Sequence, residues 1–144
     1  MSCQGMTLVI CKPDAVARGL VGEILGRLER RGLELVRAEL RSIDAGAAAA
    51  HYAEHQGKAF YESLISHITS GPALLAVVGG PAATWQVVRQ MMGATNPAEA
   101  APGTIRGDLA LSMTENLIHG SDSAVSAQRE IALFFPELAD VPQP

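Results

Sequence analysis

The chain has 144 residues, a length that suits one domain and buries enough apolar surface to need neither disulfides nor a structural metal. Its formal net charge of −4 argues against general nucleic-acid binding, which needs a basic surface to neutralise phosphates. Two cysteines, Cys3 and Cys11, make neither a disulfide framework nor a zinc spacing, and no apolar run reaches the ~18 residues of a membrane span.

Met6–Cys11 is an apolar run stopped by Lys12-Pro13-Asp14, which predicts a buried strand ending at a turn. Leu20, Val21, Ile24, Leu25 and Leu28 then recur on one helical face, with Gly32 as the stop signal. From Leu33 the period changes to two, and Val36, Ala38 and Leu40 alternate with Arg37, Glu39 and Arg41 as in a strand with one wet face. Asp44 is placed to cap an alanine-rich helix carrying His51, Tyr52 and His55, and a further helical pattern runs through Phe60, Leu64, Ile65 and Ile68. Ala73–Val78 reads as a second buried strand. Trp85, Val88 and Met92 form the stripe of a helix that Pro81 can open and Gly93 closes. Residues 93–108 are loop-like, and a loop of that length in a small domain is usually functional. Leu117-Ile118 ends a last strand. Ser121 or Asp122 then caps a helix with Val125, Ile131 and Phe135 inward. The order of elements predicts a mainly antiparallel four-stranded sheet with helices on one face, a ferredoxin-like α/β sandwich in a single domain spanning 1–144.

No GxxxxGK[ST] loop, GxGxxG fingerprint, GxSxG elbow or HExxH pair occurs, so any phosphate chemistry must rest on side chains. The most informative stretch is Asn116 to Ser123, which sets His119 at the end of an apolar strand, beside Gly120 and just ahead of a helix N-terminus. An imidazole is largely the free base at neutral pH and can act as a nucleophile, and a helix N-terminus favours a phosphate attached to it. A histidine merely satisfied by hydrogen bonds at a strand end is the competing reading. Arg89, Thr95 and Arg106, from the next helix and the long loop, form a second candidate cluster. Phosphoryl transfer depends mostly on positioning and charge neutralisation, which guanidinium groups supply. Solvated arginines paired with local carboxylates are the alternative.

Taken together, the segments Thr7–Asp14, Arg18–Glu23, His51-Tyr52, Ser70–Pro72, Gly93–Pro97, Pro102–Asp108 and Asn116–Ser123 resemble a nucleoside diphosphate kinase, in that family's order and spacing over nearly the whole chain. The resemblance implies transfer of the γ-phosphate of ATP or another nucleoside triphosphate to a nucleoside diphosphate, through a phosphohistidine on Nδ1 of His119. It implies that Glu130 orients that imidazole and that Ser121 supports Glu130. Arg89, Thr95 and Arg106 match phosphate-binding positions, and Lys12 and Asn116 match contacts to the ribose hydroxyls, with Lys12 also near the phosphates. Phe60, with Leu64 beside it, matches the aromatic that stacks on the base, although an amphipathic pattern alone makes Phe60 a core anchor. Tyr52 matches an active-site tyrosine and is equally readable as packing. Lys58 stands where many members have arginine, Gly79 where an acidic residue is common, and Met113 falls near a base-contacting position without an assignable role.

Mg²⁺ is expected as the cofactor, carried by the nucleotide with no direct protein ligand. No signal-peptide pattern precedes the first strand, so a reducing cytoplasm is the expected compartment, with no membrane and no specific nucleic-acid partner. The 48% hydrophobic content and an open sheet edge point to a homo-oligomer. Members of the resembling family form tetramers or hexamers from a common dimer. The short segment Val141-Pro142-Gln143-Pro144 after the last helix favours the tetramer, with a hexamer as the alternative.

Overall fold

The strands β1 (Met6–Cys11) and β3 (Pro72–Gly79) are apolar at nearly every position, and such a strand has two faces to bury. The structure, a computed structural model, describes residues 5–139. In it β1 and β3 form the centre of a four-stranded antiparallel sheet of order β2–β3–β1–β4, where β2 is Glu34–Ser42 and β4 is Ile118–Gly120. The expected fold class is therefore present, with one correction: helices cover both faces of the sheet. Val9, Cys11, Ala76 and Val78 point to α2 (Val21–Arg30) and α5 (Thr84–Met92). Leu8, Ile10, Leu75 and Val77 point instead to α3 (Ala45–His51), α4 (Tyr61–Ile68) and α7 (Ala124–Phe134). The unbroken apolar runs of β1 and β3 require this two-sided cover; a one-sided sheet would show alternation.

Alternation does occur in β2, yet neither face of that strand is deeply covered. It is an edge strand, bonded only to β3, with Leu35 and Leu40 exposed and a register irregularity between Leu35 and Arg37. Where the sequence signals a turn at Pro13, the chain instead makes α1 (Pro13–Ala17), because proline is preset for the first helical position. The long segment 93–108 also holds α6 (Ile105–Leu109), capped by Thr104 Oγ1, which accepts the Gly107 N–H at 3.0 Å. Asp44 caps α3 as expected, accepting from Ala47 N at 2.8 Å. The cap of α7 is Ser123, whose Oγ accepts from Ser126 N at 3.0 Å, rather than Ser121 or Asp122. Val125 is exposed, since the buried stripe of α7 runs through Ala127, Glu130, Ile131 and Phe134. A short α8 (Pro136–Ala139) follows. Cys3 and the C-terminal segment 141–144 lie outside the described residues.

Candidate active site

β4, at the edge of the sheet, pairs with the central β1 and sets His119 opposite Ile10. The side chain of His119 is 22% exposed and leans toward α7. There its Nε2 lies 2.9 Å from Glu130 Oε1, and a carboxylate can only accept, so Nε2 carries the proton. Ser121 Oγ donates to the same oxygen at 2.7 Å, and Arg129 lies 3.6 Å from Oε2. Burial raises the Glu130 carboxyl, but the hydrogen bond and charge of His119 and the hydroxyl of Ser121 outweigh it, leaving the group below its ordinary value. A neutral imidazole fixed this way presents Nδ1 as a free lone pair.

The other candidates converge on one cavity of about 500 Å³. Lys12, Tyr52, Phe60, Leu64, Arg89, Thr95, Arg106, Asn116 and His119 all line it. Ser121 and Glu130 stand behind His119 rather than on this wall. Phe60 is half exposed at the rim, which rules out a core anchor, and its ring has Lys58 Nζ 5.8 Å from the centroid and the His55 ring 5.4 Å away. Tyr52 has a double part, lining the cavity while packing edge-on against His51 with ring centroids 4.6 Å apart.

The cations are held by backbone oxygens and a side-chain amide. Arg106 is 4% exposed and donates through Nε to Asn116 O at 3.2 Å and through its terminal nitrogens to Gly93 O at 3.2 Å and Ile118 O at 2.6 Å. Burial, with Arg89 nearby, lowers it to about 10, so it stays charged at neutral pH. Arg89 donates to Gly120 O at 3.2 Å. Lys12 Nζ donates to Asn116 Oδ1 at 2.5 Å, and Asn116 Nδ2 donates to Thr95 O at 3.0 Å. Burial pushes the Lys12 ammonium down to about 8; Asp14 opposes that and Arg106 adds to it. Two glycines permit the approach: Gly93 has φ 87° and a Cβ there would strike Thr104, while a Cβ on Gly120 would meet Met92 Sδ at 2.6 Å.

One device has no sequence signature. Leu117, fully buried, has φ 75°, the only positive φ outside glycine among the described residues. Its N–H donates to Asp14 Oδ2 at 2.9 Å and its carbonyl accepts from Lys12 N at 2.8 Å. Asp14 Oδ1 is bonded in turn to His67 Nε2 at 2.9 Å. This left-handed residue reverses the chain between Asn116 and His119, so both side chains reach the same cavity. His55, Ser63, His67, Met113, Thr114 and Ile118 also line the cavity and went unassigned in the sequence; only the resemblance touched Met113. His51 is given no role by the resemblance. It is 3% exposed, and burial, with His119 beside it, lowers its imidazole to about 3.

With this geometry in place, a family model described as nucleoside diphosphate kinase matches residues 5–139. A nucleoside diphosphate kinase of Rhodococcus opacus (strain B4) is 59% identical over 134 residues, covering 92% of this chain and 96% of the relative. One from Mycobacterium leprae (strain TN) is 59% identical over 131 residues, covering 90% and 96%. The solved structure of a halophilic nucleoside diphosphate kinase from Halobacterium salinarum in complex with CDP superposes with a TM-score of 0.88, at 48% identity, over 96% of this chain and 93% of that one.

Proposed function

The chain belongs to the nucleoside diphosphate kinase family, whose phosphotransferases work through a phosphohistidine, and from that premise we propose that His119 is the residue phosphorylated here. In the first half-reaction the Nδ1 lone pair attacks the γ-phosphorus of a nucleoside triphosphate, and the bond to the bridging oxygen breaks to release the diphosphate. In the second, a terminal oxygen of an incoming diphosphate attacks the phosphorus and the P–N bond breaks. The carrying observation is the 2.9 Å contact of His119 Nε2 with Glu130, since that bond leaves the other ring nitrogen free over the cavity.

Arg89, Arg106 and the Thr95 hydroxyl are assigned to the phosphates, where charge spreads over equatorial oxygens during transfer. Lys12 and Asn116 are assigned to the ribose hydroxyls and the leaving diphosphate, and Phe60 with Leu64 to the base. Tyr52 is assigned to the wall beside His119, and Ser121 to Glu130. Stacking on a half-exposed aromatic suits a site that accepts every base. The halophilic relative solved with CDP supports a nucleotide in this cavity.

The family uses a divalent metal ion. The cavity lining offers cations, hydroxyls and amides but no carboxylate, which fits Mg²⁺ brought in on the phosphates rather than held by the protein. When bound, such an ion would supply charge neutralisation for the phosphates. Among the described residues no helix is long and apolar enough to cross a membrane, and a cytoplasmic enzyme is the reading adopted. One sheet whose two faces carry both cores supports a single domain over 1–144. A homo-oligomer of four chains is proposed, supported by the exposed β2 edge with Leu35 and Leu40; a one-chain mass by light scattering, or a six-chain mass, refutes it.

Incubation with labelled ATP and Mg²⁺ tests the nucleophile. The adduct should be labile to acid, stable to base, discharged by several nucleoside diphosphates and absent from His119→Ala. An acid-stable adduct, or one that survives the substitution, overturns the assignment.

A further inference from the structure

Beside the nucleotide cavity, and sharing Tyr52, His55, Arg89 and His119 with it, lies a second and smaller polar cavity of about 130 Å³. His51, His55 and His119 line it together with Glu54, Asp122 and Glu130. At its heart, one potential ligand atom from each of His51, His119 and Glu130 lies within 4.8 Å of the other two. These residues come from α3, β4 and α7, which are unrelated in sequence and brought together by the fold. His51 is the unexplained member. It is 3% exposed, yet neither ring nitrogen has a hydrogen-bond partner. A neutral imidazole keeps one nitrogen as an unprotonated donor of electrons, and buried polar atoms in native proteins are ordinarily satisfied. Its ring stands edge-on to that of His119, the proposed nucleophile, with centroids 4.6 Å apart at 80°.

We propose that His51, His119 and Glu130 form a binding site for a divalent d-block cation of the Zn²⁺ type, and that its occupancy blocks His119 as a nucleophile. Two imidazoles and a carboxylate are a zinc donor set, with a water completing the tetrahedron from the adjoining cavity. Bonds of about 2.1 Å at tetrahedral angles put donor atoms roughly 3.4 Å apart. The His119–Glu130 contact of 2.9 Å therefore opens by about half an ångström, while His51 closes from within 4.8 Å. Mg²⁺ prefers an octahedron of oxygens and does not compete for this nitrogen-rich set. Around the site, the three carboxylates Glu54, Asp122 and Glu130 outnumber the two cations that face them, Arg89 and Arg129.

The consequence for the reaction follows from one proton. In the free protein Nε2 of His119 holds the proton and donates it to Glu130. An ion bonded at Nε2 takes the lone pair there, so the ring's single proton moves to Nδ1. The imidazole neither gains nor loses charge, and Glu130 remains a carboxylate, but the nitrogen that attacks phosphorus is now capped. The site itself stands apart from the kinase assignment; the inhibition rests on it.

The test uses the whole nucleotide-free chain titrated with Co²⁺ and then Zn²⁺. Saturable binding of one ion per chain, with the visible bands of four-coordinate Co²⁺ bleached by Zn²⁺, is expected. His51→Phe, which keeps the ring volume and removes both nitrogens, should lose the bands; His51→Leu serves if that variant does not fold. With Mg·ATP in excess, Zn²⁺ should slow phosphoenzyme formation by about tenfold or more in the parent chain and by less than about twofold in the His51 variant, each against its own zinc-free rate, and EDTA should reverse it. No saturable one-to-one binding, or bands that persist without His51, overturns the site. Equal inhibition in both chains overturns the link to the nucleophile. Failure of the kinase assignment would show separately, as no phosphoenzyme in the absence of added Zn²⁺.

Discussion

Glu130→Gln is the sharpest probe of the proposed nucleophile, because it keeps shape and removes one charge from a site that is nearly dry. Glu130 has only 5% of its side chain exposed and His119 22%, so water screens their contact weakly. At 2.9 Å and an effective dielectric of about 20, two unit charges attract by roughly 6 kcal/mol. The imidazole carries a fraction of a charge as the P–N bond forms. A quarter to a half of that figure, about 1.5–3 kcal/mol, is the stabilisation at stake, or roughly 10- to 150-fold in rate. The amide has a second route to damage: turned the other way, it donates to Nε2 and drives the ring proton onto Nδ1. Rapid-quench measurement of phosphoenzyme formation at saturating ATP reads the effect directly, and the Kd for nucleotide should hardly move. A rate within about threefold of the parent, or a loss confined to Kd, would refute the role given to Glu130. Stability carries a second signature. A carboxyl held below its ordinary value contributes stability that is present above its unfolded pKa and is lost as pH falls through the folded one. The Gln variant should therefore show a flatter acid limb in urea unfolding below about pH 5.

Lys12, lowered to about 8 by burial, should set an alkaline limb near that value in kcat/KM, where the free enzyme titrates. Phosphates raise it, so the limb in kcat should lie higher, and Lys12→Arg should remove the limb in kcat/KM; an unchanged limb in that variant sinks the assignment. The same shift has a stability sign: between about 8 and 10.5 the unfolded chain holds more protons, so this group makes stability rise with pH across that window. Asp14→Ala strips the acceptor from the buried Leu117 N–H, which holds the residue at its φ of 75°, and the partner from His67, which should cost about 2–4 kcal/mol in urea unfolding and lower kcat as well. A loss under about 1 kcal/mol with unchanged kcat would show that the turn holds itself.

What the sequence disclosed follows from how locally each feature is encoded. His119 was legible because a strand end, a glycine and a helix start are contiguous, and the strands β1 and β3 because six-residue apolar runs have few other uses. Glu130 was reached only through family resemblance. It sits six residues into α7, and nothing in the spacing from Ser123 tells that this helix packs back across β1 to bring a carboxylate under the imidazole. The two-sided cover of the sheet was encoded in the unbroken apolar pattern of β1 and β3, whereas the order of elements, on which the one-face expectation rested, does not say which face each helix covers.

The contacts that stayed hidden are mostly backbone contacts. Arg106 is caged by the carbonyls of Gly93, Asn116 and Ile118, and Leu117 is turned by Asp14 and by the Lys12 N–H. Carbonyls carry no residue identity, so a sequence can state that an arginine is present but not that three oxygens fix its plane. That fixing bears on catalysis: a guanidinium held by the strand and loop that carry Asn116 and His119 does not reorganise when charge develops on the phosphate. The segment from Asn116 to Gly120 therefore sets His119, the proposed nucleophile, and through the carbonyls of Asn116, Ile118 and Gly120 the two arginines assigned to the phosphate. A shift of β4 would misplace all three together, and the bonds of Leu117 to Asp14 and Lys12 pin the chain where that strand begins.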